Sequence, residues 1–259
     1  MNELEDRVYR RLRLFNAAMG ALHLLQGLAM LLLSSSITLP LRTTFLDSSG
    51  PPGSSVSTVT RTVCDLRLGP LVAAFLLISS VAHFTLASPG VFPWYVKNLK
   101  RHINYARWYE YAASASVMIV VIAMLCGVFD LPTLVLLFSL NATMIFFGLM
   151  MELHNQTTER TDWTSFVMGC FAGAVPWVII IWYFVGAVLT SDGGQVPAFV
   201  YGIIASLFVF FNIFAVNMFL QYKKIGPWRD YLFGERVYIL LSLFAKSALA
   251  WQVFSGTLH

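Results

Sequence analysis

The sequence predicts an all-α membrane protein: seven transmembrane helices with a β-hairpin in the first outside loop. Three observations predict it. Apolar and aromatic residues make up 58% of the 259 residues, only 12% are charged, and the mean hydropathy is +0.70. Soluble domains are about half apolar and about a quarter charged. Apolar runs close to the ~20 residues that cross a bilayer recur along the chain. Lys and Arg gather in alternate connections, the signature of a topology fixed by positive charge. This balance excludes a soluble enzyme, a disordered chain and a disulfide scaffold. The net charge of +4 does not point to nucleic acid, because the basic residues are scattered at span ends. Cys64, Cys126 and Cys170 are far apart and odd in number, so they require no disulfide and match no metal spacing.

The spans, read between charged breaks, are 14–33, 68–87, 104–128, 131–151, 163–189, 197–220 and 237–255, within one transmembrane domain covering 1–259. The first apolar run exceeds a signal h-region and no small-residue cleavage site follows it, so it reads as a mature helix. Residues 34–66 form the one long connection. Ile37, Leu39, Leu41 and Phe45 are spaced by twos apart from Thr43, residues 56–63 are β-branched, and 48–53 are Gly/Pro-rich turn sequence. A β-hairpin fits this pattern; a disordered loop is the other reading. Thirteen of the seventeen Lys and Arg fall on the side of the N-terminal segment, and only Arg42, Arg61 and Arg67 fall opposite, with Lys246 inside the last span. The N-terminus is therefore expected in the cytoplasm and the C-terminus outside.

Ionisable groups within spans are costly and point to function. Lys246 lies ten residues past Arg236, roughly 15 Å along a helix and near the midplane. It is either half of a structural ion pair or a nucleophilic amine that condenses with an aldehyde to a Schiff base. Glu110 lies nine residues past Arg101, at a similar depth of roughly 13 Å from the same side. Its carboxylate is the expected counterion and reads as the one clearly intramembrane acid, because Arg107 and Glu152 at span ends are explained by snorkelling. At about 4 Å and an effective dielectric of 20 the attraction is of order 4 kcal/mol, enough to keep an imine protonated.

Ser242 is one turn before Lys246, and Ser114 one turn after Glu110, so each shares the face of its charged neighbour. Each either bonds the site or bonds back to its own helix. His23 and His83 fall in the cytoplasmic halves of spans 1 and 2, where they form a polar cavity with Glu110 or bond separately to backbone. A metal is not expected, as no third ligand has helical spacing with them. Trp177 with its bulky neighbours, the Phe-rich run 208–214, Met144 and Met218 could wall a long apolar ligand or simply fill the bundle. Gly169 and Gly173 form a small face for packing between helices or between protomers.

Taken together these segments resemble the heliorhodopsins over almost the whole chain. The resemblance rests on Arg107, Trp108, Tyr109, Glu110 and Tyr111 with Ser114 and Ser116, and on Ser242 through Lys246. It rests also on His23, His83 and Asn16, on the long first connection, and on the inverted orientation. It implies all-trans retinal on Lys246 as a protonated Schiff base, with Glu110 as counterion. Ser242, Ser114, Met144 and Trp177 would be pocket residues, and His23, His83 and Asn16 would line a proton-holding cavity. It implies a homodimer in the lipid bilayer, a slow photocycle and a light-sensing photoreceptor without strong ion pumping; a cytoplasmic signalling protein at the basic face could read the light-driven change of shape.

The chain departs from ordinary microbial pumps. Ser242 stands where they have an aspartate, and Ser114 or Val117 stands where they have a second span-3 carboxylate. Non-pumping photoreception is the expectation. The rivals are a light-driven transporter or channel of the same fold, and a retinal-free transporter in which Lys246 and Glu110 couple to a substrate.

Overall fold

Seven helices long and apolar enough to cross a membrane dominate the computed structural model, which describes residues 3–47, 56–190 and 196–256. The chain is a multi-pass membrane protein. In order, the elements are α1 (Glu3–Leu33), strands β1 (Thr38–Asp47) and β2 (Ser57–Arg67), and α2 (Leu68–Ala87). There follow the short α3 (Phe92–Leu99), α4 (Tyr105–Leu125), α5 (Leu131–His154), α6 (Thr164–Thr190) and α7 (Ala198–Tyr222). A 3-10 turn (Gly226–Arg229) leads into α8 (Tyr231–Gly256). All the long helices are spans.

Local signals place several helix starts. The Asn104 side chain accepts from Arg107 N–H at 3.1 Å and opens α4, and Asp130 accepts from Thr133 N–H at 3.0 Å and opens α5, with a proline in its first turn. Proline also marks the start of α3, an element hidden in the sequence because eight residues are too few for a periodic pattern. Neighbouring helices α1, α2, α4, α5 and α6 pack in succession, α7 packs on α8, and α8 reaches back to α1 and α2.

The first connection carries the expected antiparallel hairpin; the turn at 48–53 lies outside the described residues. β2 runs to Arg67, longer than expected, and passes directly into α2. Leu41 pairs with Cys64 but Arg42 with Thr62, so Val63 is an extra residue that bulges β2. Leu39 and Leu41 pack on the core, whereas Phe45, of the same alternating set but further along the hairpin, is 53% exposed. The hairpin docks on the α4–α5 connection through Arg42 N–H to the Phe129 carbonyl at 2.8 Å.

Gly169 and Gly173 pack within the chain. A Cβ at Gly169 would come within 3.2 Å of Phe147, and one at Gly173 would strike the Met144 sulfur. The absent side chains let α6 approach α5.

Candidate functional site

The site is centred on α8, which carries Lys246 and, one turn earlier, Ser242 on the same face. The amine is buried, with its side chain 3% exposed. Nζ donates to Glu110 Oε1 at 2.8 Å and to Ser242 Oγ at 2.7 Å, and lies 5.2 Å from the centre of the Tyr111 ring. Glu110 and Tyr111 come from α4, so two helices more than a hundred residues apart in sequence meet at this pair. Ser79 of α2 completes it, donating to Glu110 Oε1 at 2.5 Å. Sequence reasoning missed Ser79, because a serine within an apolar span usually bonds its own helix, and this one also reaches the Phe75 carbonyl at 3.0 Å. Ser114 is fully buried within electrostatic reach of the carboxylate, but its hydroxyl completes no hydrogen bond.

Lys246 and Ser242 form one wall of an apolar cavity between the helices, the kind of concave, mostly apolar space that holds small molecules. Met144, Met218, Phe211, Phe214, Trp108 and Tyr238 supply its apolar lining. Met144 thus lies on the cavity wall. Trp177 is buried but stands outside this lining. Its ring packs edge-on against Phe208 at 5.3 Å and Phe211 at 5.5 Å, so it backs a wall residue. Helical depth was legible in the sequence; the direction in which the indole points was not.

A smaller cavity lies beside Glu110 and is lined by Asn16, His83, Asn104, Arg107 and Tyr111 among others. His83 Nδ1 and Asn16 Oδ1 are 2.8 Å apart. The Asn16 amide N–H donates to the Leu12 carbonyl at 3.0 Å, which leaves its oxygen to face the histidine. His23 stacks on His83 with ring centroids 5.6 Å apart, and neither of its ring nitrogens meets a hydrogen-bond partner from the protein. The three residues meet on one side of the carboxylate. No cluster of three or more His, Cys, Asp or Glu suited to a metal occurs among the described residues.

One expectation is overturned. Glu110 is not the only buried acid: Glu152 and Glu235 are 2% and 0% exposed, and Arg107 is 6% exposed. Snorkelling does not describe Arg107 or Glu152. Arg107 binds Glu235 through Nη1 and Glu152 through Nη2, the latter at 2.5 Å. Asn104 donates to Glu235 at 2.6 Å through its side chain and to Glu152 at 2.9 Å through its backbone. Trp108 Nε1 and Tyr231 OH also donate to Glu152, at 2.6 and 3.1 Å. The guanidinium lies between the Trp108 and Tyr238 rings, 4.3 and 4.0 Å from their centres. Both rings also line the large cavity, so its contents and the ion cluster share two walls. A Cβ at Gly148 would collide with Trp108, which explains why the indole fits there.

The family model described as Heliorhodopsin matches residues 12–258, nearly the whole chain. No curated protein matches it.

Proposed function

The chain belongs to the heliorhodopsin family, and on that premise we propose that it is a light-sensing photoreceptor holding all-trans retinal on Lys246 as a protonated Schiff base. The observation that carries this reading is a buried lysine amine on the wall of an apolar cavity, 2.8 Å from a buried carboxylate. The residues fit the group. The cavity accepts an apolar polyene, the amine supplies the point of attachment, and Glu110 supplies the charge that a cationic imine needs. When bound, retinal supplies visible absorption and light-driven isomerisation.

The protein's own part is electrostatic and positional. Ser79 and Ser242 fix the carboxylate and the nitrogen by hydrogen bonds. Tyr111, anchored through its hydroxyl to the Tyr238 carbonyl at 2.7 Å, holds its ring beside the amine. A proton released at the Lys246 nitrogen meets Glu110 first, then the cavity of His83 and Asn16 backed by His23. We place the N-terminus in the cytoplasm, following the distribution of Lys and Arg, and treat 1–259 as one domain. A homodimer and a cytoplasmic signalling partner complete the proposal.

Substituting Glu110→Gln is the test of the counterion. With the charge gone and the geometry kept, absorption is expected to shift to longer wavelength, or the chromophore to lose its proton at lower pH, unless an anion from solution takes its place. A spectrum identical to the parent's from about pH 5 to about pH 9 would contradict the assignment.

Transport separates this reading from a light-driven pump. Every buried carboxylate among the described residues (Glu110, Glu152 and Glu235) lies on the side of the Lys- and Arg-rich connections. A pump needs an acceptor on the other side of the imine, and the position one turn before the lysine holds Ser242. Illuminated cells expressing the protein are therefore expected to show no stationary photocurrent and no sustained pH change. A steady, ionophore-sensitive proton current would support the transporter instead.

A further inference from the structure

The connection between α2 and α4 holds a surface that neither the retinal site nor the ion cluster uses. α3 is amphipathic. Tyr95, Asn98 and Leu99 are buried, with Tyr95 and Leu99 packed against Leu12, Leu86 and their neighbours. Pro93, Trp94, Lys97 and Lys100 are exposed, as is Arg101 just beyond the helix. The helix is tied to α1 at both ends. Arg13 Nε of α1 donates to the Ala87 carbonyl at 2.7 Å and its guanidinium lies over Phe92. Lys100 pairs with Glu5 at 2.6 Å, a bond that raises the lysine pKa. Because α2 and α4 both span, α3 lies at the membrane surface.

Its outward face combines two features. Trp94 is 46% exposed, and its ring lies 6.3 Å from that of Tyr105 at the start of α4; exposed indoles of this kind sit at headgroup level. Lys97 follows one turn later on the same face of α3, Arg101 lies exposed in the turn just past the helix, and neither has an ion-pair partner among the described residues. Lys100 is neutralised by Glu5 and takes no part. Two unpaired cations beside an interfacial tryptophan complement a phosphate with an acyl chain below it.

We propose that Trp94, Lys97 and Arg101 form a binding site for the headgroup of an anionic phospholipid. The site is pre-ordered by the buried face of α3, so binding orders no loop. It is electrostatic and weakens with salt.

The test uses the full chain in nanodiscs and reads tryptophan quenching by brominated phosphatidylglycerol against brominated phosphatidylcholine, taking the difference between the parent and Trp94→Phe. Quenching of Trp94 is expected to be several-fold stronger with phosphatidylglycerol at low salt. The preference should fall roughly fivefold for each of Lys97→Gln and Arg101→Gln, and remain in Lys223→Gln with Lys224→Gln. Thermal unfolding of each variant establishes that it is folded. Equal quenching by the two lipids, or a preference unchanged when both charges are removed, would overturn the proposal. So would a Trp94 signal that responds to a soluble acidic peptide and not to phosphatidylglycerol, which would assign the face to a protein partner.

Discussion

Lys246→Ala is expected to give a protein that folds and stays colourless with added retinal. Truncation removes the only lysine within the spans, and with it the amine that faces the cavity. The carboxylate of Glu110 would lose its 2.8 Å partner but keep Ser79. Breaking a buried pair by removing one partner costs roughly 3–5 kcal/mol, so the variant should also unfold at a lower temperature. Lys246→Ala with Glu110→Gln removes the stranded charge and should recover part of that loss while remaining colourless. The absorbance and the stability therefore respond to different parts of the pair. A coloured Lys246→Ala protein, in the absence of an added amine, would reject the attachment site.

The second large effect is expected at Arg107. This cation holds two buried carboxylates together. Arg107→Met keeps much of the volume and leaves Glu152 and Glu235 facing one another without a counter-charge. A loss of roughly 3–5 kcal/mol is expected, measured by equilibrium unfolding in mixed micelles. Adding Glu152→Gln and Glu235→Gln should restore a substantial part. The guanidinium is also sandwiched by Trp108 and Tyr238, which wall the large cavity. The absorption band of the retinal-loaded protein should therefore move in Arg107→Met. A stability change below about 1 kcal/mol, the range of exposed pairs, would mean that the cluster does not bear on the fold.

These two sites show what the sequence made legible. Lys246 and Glu110 stood out because each interrupts an apolar run at mid-span, and Ser242 followed from helical spacing. The Arg107 cluster was obscured for a related reason. Charges mark span ends in a sequence, so a last span beginning at 237 leaves out Glu235, which the structure places within α8 (Tyr231–Gly256). Charges that neutralise one another can lie well inside a helix, and only the tertiary structure shows which ones are paired. Ser79 and Trp177 illustrate a second limit. Depth along a helix follows from counting residues, but direction around the helix depends on neighbours contributed by distant segments. The hairpin was readable from alternation and turn residues, while the bulge at Val63 left no mark in the pattern.

The central claim is that Lys246 carries retinal beside Glu110. The most direct measurement is to load the membrane-embedded protein with all-trans retinal, record the visible spectrum, reduce the adduct with borohydride and map the modified residue by mass spectrometry. A visible band is expected, with a retinyl mass on the peptide containing Lys246 alone. Absence of a visible band, or a retinyl group on Lys97, Lys100, Lys223 or Lys224 with Lys246 unmodified, would contradict it.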